Sequence, residues 1–441
     1  MELLRYPLLG CLIFASMLYA SGCAPYSASF AQIEQDLVNQ DPVAALTSLE
    51  KQRPGSRNQV LHDLNHGMLL RMDGQFEASN ESLERAKNRM EELYAISVSE
   101  QVGSFLLSDS STSYAGEEFE QVLVHLYKAL NYLELGEPES ARVEALQVDL
   151  KLREMTQQGF TGNYREDALA RYLTGIVYEM HGEYSDALIA YRRAYETYQD
   201  YREHFAVSVP EVLQEDLLRT AHRIGYREEL ERFRQEFDRP DWKPLSIPGS
   251  GQLIVVLSTS LAPVKREESA VIQLSANRVV RISLPYYEFR PRSSHGARLR
   301  LDHQAAFAAE RAHSIDAIAS DTLKAKMGAI TARSIARIVA KDQAVSEVHD
   351  QAGPLAGVLA NIFTAATETA DTRSWLTLPQ EIYLMRQHLP AGTYTPTVEI
   401  LGSRGQVLDR LPLGELQIDA GNISVVSPHW IPHFLPRSPR R

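Results

Sequence analysis

Cysteine is almost missing from this chain of 441 residues: there are two, Cys11 and Cys23, and everything downstream is free of thiols. That excludes a disulfide framework and a cysteine-based zinc site. A cationic surplus is missing as well. Lysine and arginine number 45 against 57 aspartates and glutamates, a net charge of −12, so the phosphate-neutralising term behind nucleic-acid binding is lost and no nucleic-acid partner is expected. No G-x-S-x-G or phosphate-loop pattern occurs, and Gly249-Ser250-Gly251 lacks the context of one. The stretch His62-Asp63-Leu64-Asn65-His66 has histidines at i and i+4, but an aspartate stands where a zinc peptidase carries its glutamate base. A surface or packing role is expected there, with no metal and no cofactor. At 44% hydrophobic and 23% charged the composition is that of a globular protein, neither wholly disordered nor polytopic in a membrane.

The start of the chain carries an address. The apolar run from Tyr6 to Ala20 is short and broken by Pro7 and Gly10, which suits a secretory signal better than a membrane span. It ends Ala20-Ser21-Gly22-Cys23, small residues before a cysteine, and this resembles the bacterial lipobox. The resemblance implies that residues 1–22 are removed and that lipid is attached to Cys23 as the first residue of the mature protein. Several acyl chains would hold it stably, since each buried CH₂ contributes about 0.8 kcal/mol. Ala24 stands where an aspartate would retain a lipoprotein in the inner membrane, which by the same resemblance implies the outer membrane, facing the periplasm.

Charge divides the chain in two: residues 1–238 carry a net −17 and residues 239–441 a net +5. A Pro/Gly-rich connector, residues 239–251, separates them, and no helix would cross it. The expected fold class is α+β: an all-α irregular tetratricopeptide-like solenoid over residues 23–238, then an antiparallel β-sandwich-like domain over 252–427 with a helical insertion at 304–370. A loose tail is expected over 428–441.

The repeats are read from one set of offsets. Gly175, Tyr178, Gly182, Tyr184, Ala187, Tyr191 and Ala194 give a small residue, an aromatic three on, a turn glycine, then an apolar stripe on a second helix. The same offsets give Gly67 to Ala86 and Ala129 to Val148. A fourth copy from Leu218 puts Arg227 and Arg234 at apolar positions and is expected to be at best a degenerate capping pair. Solenoid contacts are nearest-neighbour, so residues 31–238 are expected to fold without the rest. Tyr132 and Tyr178 fall at equivalent first-helix offsets and are candidate partner anchors if they line the concave face, although core packing is the simpler reading. The surplus acidity would bias that face towards a basic segment.

In the second half, Leu253 to Leu257, Arg278 to Leu284, Glu381 to Met385, Tyr394 to Leu401, Gln406 to Leu411 and Ile423 to Val426 read as strands, with Gly402-Ser403-Arg404-Gly405 as a hairpin turn. Helices are expected within Gln304 to Val348 and from Leu355 to Thr369. Asp371-Thr372-Arg373-Ser374-Trp375 sets a charged pair beside a large aromatic. It suits an internal ion pair over a packed Trp375, or a ligand edge. Tyr114-Ala115-Gly116-Glu117-Glu118-Phe119-Glu120 reads as a loop entering a helix, its carboxylates at the positive end of the helix dipole.

Together with Ala129-Leu130-Asn131-Tyr132-Leu133 and Ala141-Arg142-Val143-Glu144, these two segments resemble an uncharacterised family of Gram-negative envelope lipoproteins with tetratricopeptide-like repeats, a likeness extending over most of the mature chain. The resemblance brings no catalytic residues. Relatives are often encoded beside a lipoprotein resembling a penicillin-binding protein activator, which associates the family with envelope assembly. The expected function is a non-enzymatic scaffold, anchored in the outer membrane through Cys23 and binding an envelope protein. Regulation of peptidoglycan synthesis is the first alternative, and a cell-wall hydrolase using carboxylates near Glu117 to Glu120 the second.

Overall fold

The computed structural model describes residues 26–99, 109–157, 162–245, 247–275, 278–301, 306–352 and 369–434. Residues 1–25, with the signal segment and Cys23, lie outside them, as do most of the helix expected from Leu355 to Thr369 and the end of the tail.

The helical half comprises α1 (Tyr26–Ser29), α2 (Ala31–Val38), α3 (Pro42–Glu50), α4 (Gln59–Met72), α5 (Phe76–Ser99), α6 (Glu118–Glu134), α7 (Pro138–Gln157), α8 (Ala168–Met180), α9 (Tyr184–His204), α10 (Glu211–Ile224) and α11 (Arg227–Glu236). From α2 onward they pair in tetratricopeptide-like fashion. Gly74, Gly136, Gly182 and Gly225 turn four of these pairs with φ of +76°, +70°, +73° and +78°, a left-handed conformation that other residues adopt at a cost. Where the first helix crosses its partner, small residues let the backbones approach. A Cβ on Gly175 would stand 2.4 Å from the Tyr191 ring, and one on Gly67 2.8 Å from Leu83. Gly175→Ala should therefore cost about 1–3 kcal/mol through overpacking, despite alanine's better helix propensity. Urea denaturation measures it, and an unchanged midpoint would contradict this packing.

The fourth copy forms a helix pair, α10 and α11. Leu218, Leu230 and Phe233 supply its buried contacts, while Arg227 is exposed and Arg234 donates to the Trp242 carbonyl at 2.9 Å.

The second half contains β1 (Ser250–Thr259), β2 (Val264–Ser275), β3 (Arg278–Glu288), β4 (Gly296–Arg300), β5 (Phe307–Ala308), β6 (Glu310–Ser314), α12 (Ile315–Ala352), β7 (Glu381–Pro390), β8 (Gly392–Tyr394), β9 (Thr397–Leu401), β10 (Val407–Pro412), β11 (Leu416–Ile418), β12 (Ile423–Val426) and β13 (His429–Trp430). One sheet runs β12-β1-β7-β6, with β13 also on β1; a second runs β10-β9-β4-β5. Leu253, Val255 and Leu257 on one face of β1 share a core with Leu299, Val398 and Ile400 of the second sheet.

Several expectations are corrected. The first sheet is mixed, because β12 and β13 pair with β1 in parallel while β7 pairs with it antiparallel. The region expected as a helical insertion over 304–370 begins with strands β5 and β6, and β6 completes the first sheet. The tail is not loose where it begins: Trp430 is buried and donates from Nε1 to Asp409 at 2.7 Å, and the Ile431 carbonyl accepts from Gln40 at 2.6 Å.

The largest correction concerns the concave face. Thirteen of the seventeen residues of α6 and eleven of the thirteen of α8 are buried, whereas the second helices α7 and α9 keep long exposed faces. A first helix covered by its partner alone would show one exposed stripe. Here the other face of the first sheet covers that stripe: Ile254, Val256, Ile382, Leu384 and Val425 join Leu126, Tyr127, Leu130 and Ile176 in one core. The β half occupies the surface that a solenoid would offer to a partner.

Candidate functional site

The seam between the halves carries buried charge, and one cluster pairs arginines with carboxylates across it. Arg386 of β7 reaches Glu179 of α8 at 2.9 Å and Asp216 of α10 at 2.6 Å, and its Nε donates to Gln252 at 2.7 Å. Arg219 forks onto Glu179 at 2.6 and 2.7 Å, and the hydroxyls of Tyr191 and Tyr172 donate to Glu179 and Asp216. Burial alone would raise the Glu179 carboxyl, but the guanidinium groups of Arg386 and Arg219 outweigh it and hold it well below the usual range. Nearby, His313 of β6 meets Asp167 at 2.9 Å, and Asp167 also caps α8 through the Ala170 N–H at 2.8 Å.

A second cluster gathers the carboxylates singled out for hydrolysis. Glu117, at the start of α6, accepts from Lys265 of β2 and Lys326 of α12, both at 2.6 Å. Burial would raise its carboxyl, and the two ammonium groups instead press it far down. Glu120 accepts from the Tyr114 hydroxyl at 2.6 Å, the Glu117 N–H at 3.0 Å and the Trp375 N–H at 2.8 Å. Burial, then the charge of Glu117, pushes Glu120 up to about 7, against the pull of these three donors. Two carboxyls driven apart in this way have the electrostatics of an acid/base pair. Their access is wrong for one: Glu120 is 0% exposed, and a glycan or peptide cannot reach it in this conformation.

The ligand-edge reading of Trp375 is corrected on the same ground. Its ring is 1% exposed, lies edge-on to Tyr127 and donates to the Thr377 hydroxyl at 3.0 Å. Above it Arg373 is forked onto Asp371 at 2.8 and 2.7 Å, with its guanidinium over Tyr114. Tyr132 and Tyr178 are half-buried near the ends of α6 and α8; Tyr178 lies under Arg142, and both pack against the main core. His62 and His66 stack at 5.9 Å, and the His66 nitrogens already face Ser82 and Glu50.

A groove of about 1300 Å³ opens where the sheet diverges from the helix turns. Leu133, Glu134 and Gly136, then Met180, His181 and Gly182, then Arg219 and Arg223 form one wall. The starts of β1 and β12, His388 of β7, and Leu245 and Ile247 of the connector form the other. Its carboxylates are largely committed: Glu134 holds the Ser427 N–H and hydroxyl, and Glu179 holds two arginines. Arg223 lies over the Tyr184 ring at 4.0 Å with no carboxylate partner among the described residues, and the buried Nε of Arg219 donates to nothing there. Burial and the charges of Arg386 and Arg219 hold His388 below the ordinary histidine value. The groove therefore offers donors and one open cation beside apolar patches from Leu133, Met180 and Leu245. The sequence reading missed it, although Arg386 and His388 inside an otherwise apolar strand were a usable signal.

No family model matches the sequence, and no curated protein matches it. Solved structures similar to part of the chain include MamA (14% identity, TM-score 0.30, 46% of this chain and 92% of that one). Others are the aspartyl phosphate phosphatase F from Bacillus subtilis (11%, 0.33, 47% and 48%) and the apo form of RapI (13%, 0.35, 54% and 61%).

Proposed function

We propose that the protein is a non-enzymatic scaffold of the outer membrane, facing the periplasm and held by acyl chains on Cys23, that binds an envelope protein in the groove beside its helix turns. The observation that carries this reading is the groove. It passes the turns of three successive helix pairs and is lined by Arg219, whose buried Nε is unpartnered, and by Arg223, which faces no carboxylate among the described residues. Its chemistry suits a segment with acidic and apolar side chains, in place of the basic segment expected for a concave face. The enclosure of Glu120 favours the scaffold over the hydrolase.

Cys23→Ala should move the protein from the membrane to the soluble fraction and abolish incorporation of labelled fatty acid. A photoreactive residue in place of Tyr184, at the groove rim, should crosslink one envelope protein in living cells, and Arg223→Glu should weaken that adduct at least severalfold. Retention of the Cys23→Ala protein on membranes with its signal removed would defeat the anchor. Turnover of a cell-wall glycan or peptide by purified protein, lost in Glu120→Gln, would replace the scaffold by the hydrolase.

A further inference from the structure

The first described residues are pinned to the body. The Tyr26 hydroxyl accepts from Asn65 at 3.1 Å, the Ser27 hydroxyl from Arg266 at 3.0 Å, the Ser29 carbonyl from Gln52 at 2.8 Å, and Phe30 is fully buried. Cys23 precedes Tyr26 by three residues, a reach of at most about 11 Å. Acyl chains at Cys23 would thus hold this end of the solenoid against the bilayer.

The surface beside α1 has a charge unlike the rest of its half. Between residues 51 and 62 there are three cations, Lys51, Arg53 and Arg57, and no acid, within a half whose net charge is −17. All three are exposed, and none forms an ion pair among the described residues. Other exposed arginines of the solenoid do carry carboxylate partners, as Arg153 and Arg193 do on Asp149. The carboxylates nearby are spent: Glu34 on Arg290, Glu50 on His66, Asp36 on Gln32 and Ser48. Under this loop lies a hollow of about 420 Å³ lined by Tyr26, Leu49, Gln52, Arg53, Asn58 and His62, with polar donors beside two apolar groups.

We infer that the Lys51 to Arg57 loop and the hollow beneath it form the membrane-facing surface of the protein, taking the headgroup of an anionic phospholipid from the leaflet that holds Cys23. The occupant follows from charge complementarity and from the short tether. The inference rests on lipidation of Cys23, and its test separates the two.

Gly55→Cys adds a label site without strain, because a Cβ there meets nothing within 4 Å. The lipidated Gly55→Cys protein, carrying an environment-sensitive fluorophore, is reconstituted into phosphatidylethanolamine vesicles with phosphatidylglycerol and a headgroup quencher. Tyr226→Cys, exposed on the last helix pair, serves as comparison. Quenching at position 55 should exceed that at 226 severalfold; equal quenching overturns the inference while leaving the anchor intact. Failure of the lipidated protein to stay on vesicles defeats the anchor instead. In a second arm the protein lacking residues 1–23 is floated with phosphatidylglycerol vesicles. Replacing Lys51, Arg53 and Arg57 together by glutamate should lower its partition coefficient by about a hundredfold or more, at roughly fivefold per lost cation. Unchanged partition, or equal partition onto neutral vesicles, overturns the inference.

Discussion

Arg386→Met is expected to lower the unfolding free energy by about 3–5 kcal/mol, read from denaturant titration of the protein lacking residues 1–23. The guanidinium is buried between Glu179 and Asp216, and methionine fills its volume without its charge. Arg219 still faces both carboxylates, but one cation then serves two buried anions, and an uncompensated buried charge is among the costliest single changes. Arg386→Lys should lie between, since a point charge cannot reproduce the fork. The pH dependence has a definite sign. Because Glu179 is held below its ordinary 4.5, its contribution to stability is complete above that pH and is lost as pH falls below it. Arg386→Met should shift the acid transition upward. A variant as stable as the parent, with an unmoved acid midpoint, would mean that the cluster does not hold the seam.

The helix pairs were legible because their signal is local: Gly175 and Tyr191, sixteen residues apart, repeat as Gly67 and Leu83 at the same spacing, and each pair is a close contact. The hairpin at Gly402 to Gly405 was legible for a similar reason, a left-handed Gly405 closing a short turn between β9 and β10. The strand β2 escaped notice because it belongs to a two-stranded ribbon with β3, with Lys265 buried and Val271 exposed, so the usual alternation is inverted at those positions. What covers each face of β1 could not be read at all. Leu253 to Leu257 is a continuous apolar run, which announces burial on both faces without naming the neighbour. One neighbour is a second sheet and the other is the solenoid. The same limit hid the groove, whose walls come from helix turns and strand ends far apart in the chain.

Residues 26–238 produced alone are expected to lose the cooperative native fold, against the reading of the repeats as a self-sufficient unit. A solenoid tolerates truncation when its first helices face water with polar residues. Here α6 and α8 present Leu126, Leu130 and Ile176 to a core shared with Ile254, Val256 and Ile382. Removing the β half would expose that surface, and with it strand Asp216, Glu179 and Asp167 without Arg386 and His313, and Glu117 without Lys265 and Lys326. Exposed apolar area and unpaired acids act in the same direction, the first by losing burial worth about 25 cal/mol per Å², the second by mutual repulsion. The fragment should bind a hydrophobic dye, show a broad thermal transition and aggregate. Co-expression with residues 239–434 should restore a soluble complex in which both fragments unfold together. A monomeric 26–238 fragment with a sharp transition at the midpoint of the whole chain would show that the seam contributes little to the solenoid's stability.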